Sequence, residues 1–221
     1  MGMSDSIPEA MMRSIRLAIL LAATSLFVLG CSKRVMVEVP PRVNLQSFDV
    51  IGIVEFGSDA EGALPSLTTQ RFIETMQRSQ PGVRVLELGN EEELKGTIGR
   101  NELDFSAMQT IKEKFGVDAV ILGKLEVSDA RPNFSVQDVI SSLSVSAEVD
   151  ASLTTRMFET GRGATVWTRS TRCTDTVAHV GVNKNGAVRF GAKDPERAYG
   201  ALVDELVYDV TRDFRVTYVR R

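Results

Sequence analysis

Hydrophobic and polar positions divide the chain into three stretches with different periods. The first contains one uncharged apolar run, residues 17–29, preceded by Arg13 and Arg16. It falls short of the about 20 residues a permanent spanning helix needs and suits the core of a signal segment. Residues 32–47 show little periodicity and contain Pro40-Pro41, so they read as an extended tether.

The middle stretch alternates short apolar runs with helical spacing. Val50-Ile51-Gly52-Ile53-Val54-Glu55-Phe56 predicts a strand buried on both faces. Pro65 opens a helix over 66–80 with Phe72, Ile73 and Met76 on one side, stopped by Pro81-Gly82. A short strand over 83–88 closes at Gly89-Asn90. Asn90 with Glu93 has the spacing of a capping box, and Asp104 suits the N-cap of a helix over 105–115. There Phe105, Met108, Ile111 and Phe115 share a face, and Gly116 stands at the C-terminal cap. A third buried strand over 119–125 follows. This order predicts an α/β fold with parallel pairing.

The last stretch changes period to two. From 143 to 157 the odd positions Leu143, Val145, Ala147, Val149, Ala151, Leu153, Thr155 and Met157 alternate with polar ones, one face for a core and one for water. The turn 159–163 returns the chain along 164–172 as a hairpin. A second hairpin is expected from 174–182 and 187–190, turning at Asn183-Lys184-Asn185-Gly186. Asp194-Pro195-Glu196 opens a final helix whose Tyr199, Val203, Leu206, Val210 and Phe214 repeat at threes and fours, so it lies on the sheet. The expected fold class is therefore α/β. It is a single three-layer or two-layer sandwich over 48–221, with a mixed sheet, parallel in its first half and built of antiparallel hairpins in its second.

Composition changes the picture chiefly at the amino terminus. The apolar run ends in Val28-Leu29-Gly30-Cys31, which resembles a lipobox, so cleavage is expected between Gly30 and Cys31, with Cys31 acylated. Residues 1–30 are then a signal peptide and 31–47 a lipidated Cys with its tether. Asp5 and Glu9 suit an n-region poorly, which leaves Met1, Met11 and Met12 as alternative starts. Ser32 is not the Asp linked to inner-membrane retention, which points to the periplasmic face of the outer membrane. The net charge of -3 leaves no basic footprint for nucleic acid.

Candidate chemistry is thin. His179 is the single histidine, on a predicted strand, and no G-x-S-x-G elbow accompanies it. With Cys31 acylated, Cys173 is the one remaining thiol and reads as a small buried hydrophobe; one thiol and one imidazole do not make a zinc site. Glu91-Glu92-Glu93 reads as a solvated first helical turn, Glu148 and Asp150 as an exposed strand face, and Asp118 as a turn cap. Gly186 and Gly191 read as turn and strand-end glycines, not a phosphate cradle. Trp167 suits either a partner contact or, more simply, core packing beside the last helix. No catalytic residue, metal or cofactor is expected.

Two segments carry a family resemblance. Phe115-Gly116-Val117-Asp118-Ala119-Val120-Ile121-Leu122-Gly123-Lys124-Leu125 resembles the helix–Gly–Asp–strand–Gly segment of the curli-secretion lipoprotein group and of the amino-terminal domain of the Tol-system propeller protein. Phe158-Glu159-Thr160-Gly161 with Val166-Trp167 resembles their Thr-Gly hairpin. The likeness spans about 48–214 and implies fold and a class of role, not a reaction. It implies a non-catalytic envelope scaffold or accessory factor held to the bilayer by Cys31 and working on a protein partner. The alternatives are a curli-type secretion channel and a cell-envelope hydrolase. A channel needs strands that cross the membrane. The uncharged positions Thr174, Thr176, Ala178, Val180 and Val182 offer one face, but the return strand soon meets Lys193 and Asp194-Pro195. Asp129-Ala130-Arg131-Pro132 and Gln137-Asp138 read as loop, so no crossing hairpin is expected.

Overall fold

The parallel half of the sheet is built around β2 (Ile51–Ile53), which pairs in parallel with β5 (Val85–Glu87) on one side and β6 (Ala119–Pro132) on the other. The protein is described by a computed structural model over residues 35–132, 146–178, 180–182, 188–190 and 194–220. β6 continues the sheet antiparallel to β7 (Ser146–Glu159), and β7 to β8 (Ala164–Ala178), giving the order β5-β2-β6-β7-β8. β3 (Gly57–Ser58) adds to β6 in parallel. A second sheet of three short strands runs β4 (Glu61–Gly62), β10 (Val188–Phe190), β9 (Val180–Val182). β1 (Met36–Val39) pairs with β11 (Thr217–Arg220) as a two-stranded ribbon, most of which belongs to a unit distinct from Val39–Thr217.

Four helices among the described residues cover the main sheet, and alternation along the strands decides which face each takes. Ile51, Ile53, Ala119 and Ile121 point to one face, with Phe72 and Met76 of α1 (Leu64–Ser79) and Tyr199, Leu206 and Val210 of α4 (Pro195–Val210). Val120 and Leu122 point to the other, with Leu94 and Ile98 of α2 (Glu91–Ile98) and Met108 and Ile111 of α3 (Phe105–Phe115). The mixed α/β sandwich read from the sequence is therefore the observed fold. It has three layers over the parallel strands. Over β7 and β8 it has two: Val149, Ala151, Leu153 and Met157 are buried beneath α4, while Arg156, Ser170 and Arg172 face water.

Local chemistry starts the helices as expected. The Asn90 carboxamide accepts from the Glu93 N–H at 2.9 Å, and the Glu93 carboxylate accepts from the Asn90 N–H at 3.3 Å. Asp104 and Asp194 cap α3 and α4 by accepting from Ala107 and Arg197 N–H.

Several bounds differ from the sequence reading. β6 runs on through Asp129 to Pro132, residues read as loop, because pairing with β7 resumes at Arg131↔Glu148 after a register shift. β8 runs unbroken to Ala178, so Thr174 and Thr176 pair with Asp150 and Glu148 in the main sheet; the expected second hairpin is present in its distal part, where Val180–Val182 pairs antiparallel with Val188–Phe190. α4 ends at Val210, where the Thr211 hydroxyl donates back to the Val207 carbonyl, and Phe214 lies in a short 3-10 turn beyond it. Phe105 is exposed; its ring lies over Gly163, where a Cβ would come within 2.3 Å of it and where φ is +60°. Residues 36–47, read as tether, include β1 and a 3-10 turn at Leu45–Ser47 whose Leu45 is fully buried.

Gln80, just past α1, joins three chain segments. Its Oε1 accepts from Leu45 N–H at 2.8 Å, and its Nε2 donates to the carbonyls of Val43 at 2.7 Å and Phe214 at 3.0 Å. Gln80→Ala leaves all three of these backbone groups without that partner, and each orphaned buried group costs about 1–3 kcal/mol. A loss of about 3 kcal/mol is expected in denaturant melts, whereas Gln46→Ala, which removes an exposed bond to the Pro81 carbonyl, should cost less than about 1 kcal/mol. Equal midpoints for the two variants would contradict the knot.

Candidate functional site

The chain leaves β2 and β5, two adjacent parallel strands, toward opposite faces of the sheet: β2 leads to α1, and β5 leads to α2. Loops that part in this way open a crevice at the carboxyl ends of the strands, the usual ligand position in open α/β sheets. A cleft of about 400 Å³ lies there. Its floor is Ile53 and Ile73, and Ser66, Thr69, Gln70 and Glu74 of α1 form one wall. Glu55, Glu87 and Gly89 from the strand ends form the other.

Backbone bonds hold the rim in place. Glu55 N–H donates to the Gly89 carbonyl at 2.9 Å, and Leu88 N–H to the Ile53 carbonyl at 2.8 Å. The Thr69 hydroxyl accepts from Phe56 N–H and donates to the Pro65 carbonyl, both at 2.9 Å, so it is spent on the fold. Glu74 is held by Gln70 Nε2 at 3.1 Å and Arg71 Nη1 at 3.0 Å. Arg71 also pairs with Glu196 on α4, and that hydrogen bond, the largest influence on it, raises the guanidinium pKa further. Among the described residues, Glu55 and Glu87 have no cationic partner. The cleft thus offers hydrogen-bond acceptors over an apolar floor and suits an ammonium or guanidinium group. No group of three or more described His, Cys, Asp or Glu side chains is placed to hold a metal ion.

None of the residues considered for chemistry from the sequence is among those that line this cleft. Gly30, Cys31, His179, Gly186 and Gly191 fall outside the described residues. Trp167 is 7 % exposed, its ring centroid 4.7 Å from that of Phe214 and its Nε1 donating to Asp213 at 3.2 Å, so the packing reading describes it. Glu91 pairs with Lys95 at 2.6 Å on the α2 surface. Asp150 accepts from the Thr174 hydroxyl across the open sheet face, and Asp118 accepts from Asp49 N–H at 3.0 Å. The signals that mark the cleft are faint. Glu55 is the one charge inside an apolar run, and Gly89 ends the next strand.

Fold and cleft together define a class: a mixed-sheet α/β domain with an acceptor-lined crevice at the carboxyl ends of two adjacent parallel strands, β2 and β5. The chain matches no family model and no curated protein. Among solved structures it is similar to a PelC dodecamer from Paraburkholderia phytofirmans, at 14% identity over 82% of this chain and 96% of that one, with a TM-score of 0.43. It is similar to the LpoB C-terminal domain from Salmonella enterica at 11% identity, covering 61% of this chain and 84% of that one, TM-score 0.37. The lipoprotein GNA1162 from Neisseria meningitidis aligns at 16% identity over 73% and 96%, TM-score 0.35.

Cys173 lies buried on β8 with its Sγ 3.8 Å from the Leu202 carbonyl oxygen. Burial, reinforced by the charges of Glu205, Asp175 and Asp209, pushes its thiol up to about 12. Near pH 8 the folded protein should hold roughly a thousandfold less thiolate there than an ordinary cysteine. A chromogenic disulfide reagent should therefore label Cys173 quickly only in denaturant, and fast labelling of the folded protein would show an open, activated thiol instead.

Proposed function

We propose that the chain is a lipoprotein precursor, cut before Cys31 and acylated there. Its folded domain then serves as a non-catalytic accessory factor in envelope assembly or export at the periplasmic face of the outer membrane. The observation that carries this reading is the sequence Val28-Leu29-Gly30-Cys31 at the end of an uncharged apolar run preceded by Arg13 and Arg16. Acylation of the amino-terminal Cys supplies more than the about two anchoring signals stable attachment takes. The cleft supports a role through contacts: its free acceptors suit a lysine or arginine of a protein partner, and such charge pairing speeds and orients docking. In the mature chain the poverty of nucleophile–base pairs supports the same reading. Trp167, spent on the core, is not the partner contact in it.

Cys31→Ala should abolish incorporation of a fatty-acid analogue while the parent protein is labelled, read by gel fluorescence. Equal labelling of both would sink the lipoprotein reading.

For the cleft, a photo-crosslinking amino acid in place of Gln70 in intact cells should give discrete adducts. Combining it with Glu55→Gln and Glu87→Gln should remove those adducts without lowering thermal stability. An unchanged adduct pattern would mean the carboxylates do not receive the partner.

A further inference from the structure

Large apolar side chains left in water are concentrated in one element. Of the eleven exposed ones among the described residues, seven are Val35, Met36, Val37, Val39, Val216, Tyr218 and Val219, the strands and flanks of the β1–β11 ribbon. Val35 and Tyr218 are each 60% exposed. A two-stranded sheet by itself is marginal in water, and one that exposes apolar side chains on both of its faces marks an element that meets something else.

We propose that this ribbon lies in the lipid interface of the membrane that holds the chain, as the protein part of its anchor. The inference rests on the reading that Cys31 is acylated. Three features select an anionic lipid surface as the occupant. The first is reach: Val35 is four residues from Cys31, and a chain spans at most about 3.6 Å per residue, so the ribbon starts within about 14 Å of the acylated residue. The headgroup zone on one side of a bilayer is several ångströms deep, so that leash keeps the ribbon at or near the surface. The second is composition. Aliphatic residues with a tyrosine are what the boundary between headgroups and acyl chains accepts, the ring sitting at headgroup level. The third is charge. In sequence, Lys33-Arg34 directly precede the ribbon and Arg220-Arg221 follow Val219, with Glu38 the single acid among 33–39 and 216–221, in a protein whose net charge is -3. Basic residues beside an apolar surface are drawn to anionic headgroups and held by them.

The test uses the full-length lipidated protein in a Cys173→Ser background, with an environment-sensitive fluorophore on Val37→Cys or Tyr218→Cys. Glu92→Cys on the exposed first turn of α2 is the control. In vesicles of phosphatidylethanolamine and phosphatidylglycerol with brominated acyl chains, both ribbon labels should be quenched several-fold and shift to the blue, and the control should do neither. Adding salt or omitting phosphatidylglycerol should weaken the quenching. Mass spectrometry of the amino-terminal peptide separates the two readings. An unacylated peptide overturns both the lipoprotein reading and this one. An acylated peptide with ribbon labels as open to iodide as the control overturns the ribbon's placement alone. Labels shielded from both iodide and bromolipid, with crosslinks between copies, would assign the surface to a second copy and also overturn it.

Discussion

One chain of aromatic contacts, two edge-to-face and one tilted, makes the two halves of the sheet share a core. Phe56, just past β2, meets Phe72 of α1 at 5.2 Å between ring centroids, and Phe72 meets Phe214 at 6.1 Å. Phe214 in turn meets Trp167 of β8 at 4.7 Å. The parallel strands and the antiparallel hairpin are joined along the sheet by β6, but it is this row that fills the space above both. Each contact adds about 0.5–1.5 kcal/mol to the burial of its rings. The row depends on a missing side chain: a Cβ on Gly123 would lie 2.3 Å from the Phe56 ring. Its far end is fixed by Asp213, which accepts from Trp167 Nε1 at 3.2 Å and Arg169 Nη1 at 3.0 Å. Burial alone would raise the Asp213 pKa, but these bonds outweigh it and hold the carboxyl below its usual range. The stabilisation from this group is thus complete above about pH 3.9 and lost as pH falls through the lowered value.

The same row positions the cleft. Phe56 is locked by Gly123 behind its ring and by the Thr69 hydroxyl on its N–H, so Glu55, one residue earlier, is held at the rim. At the other end Gln80 ties the segment after α1 to Val43 and Phe214. α1 is therefore restrained at its first turns by the loop after β2 and at its end by both terminal segments. Gln70 and Glu74 of the cleft wall lie between those two restraints, and Ser66 stands one turn before the first.

Features set by near neighbours along the chain are legible in the sequence itself. The capping box at Asn90, the caps at Asp104 and Asp194, and the alternation over Val149–Met157 each depend on residues within a few positions of one another. What the sequence hides depends on distant pairing. Pro132 suggests a loop on its own, yet β7 lies alongside to extend β6 that far. Thr174–Ala178 offers an uncharged face on its own, yet Glu148 and Asp150 are its ladder partners. Residues 36–39 have too little period to mark a strand, because both faces of the ribbon are apolar at several positions and its partner is the far terminus. The cleft is hidden for the same reason. Glu55 and Glu87 are 32 positions apart, and only the parallel pairing of β2 with β5 makes them neighbours.

What the cleft has left to offer follows from what the fold has consumed. The Thr69 hydroxyl, the Gly89 carbonyl and the Glu74 carboxylate are each engaged within the domain. The groups remaining toward the opening are the Glu55 and Glu87 carboxylates and the Ser66 hydroxyl, over Ile53 and Ile73. An acceptor-rich rim above an apolar floor matches a lysine or arginine side chain along its whole length, the stem on the isoleucines and the charged head among the carboxylates. Arginine would gain more than lysine, because its planar fork can bond two carboxylates at once with less loss of freedom. The cleft opens to water, so the attraction is screened within about 8–10 Å at ordinary ionic strength. Such a site acts at short range, on a partner already brought close; under the proposed lipid anchoring, a partner on the same surface would meet that condition.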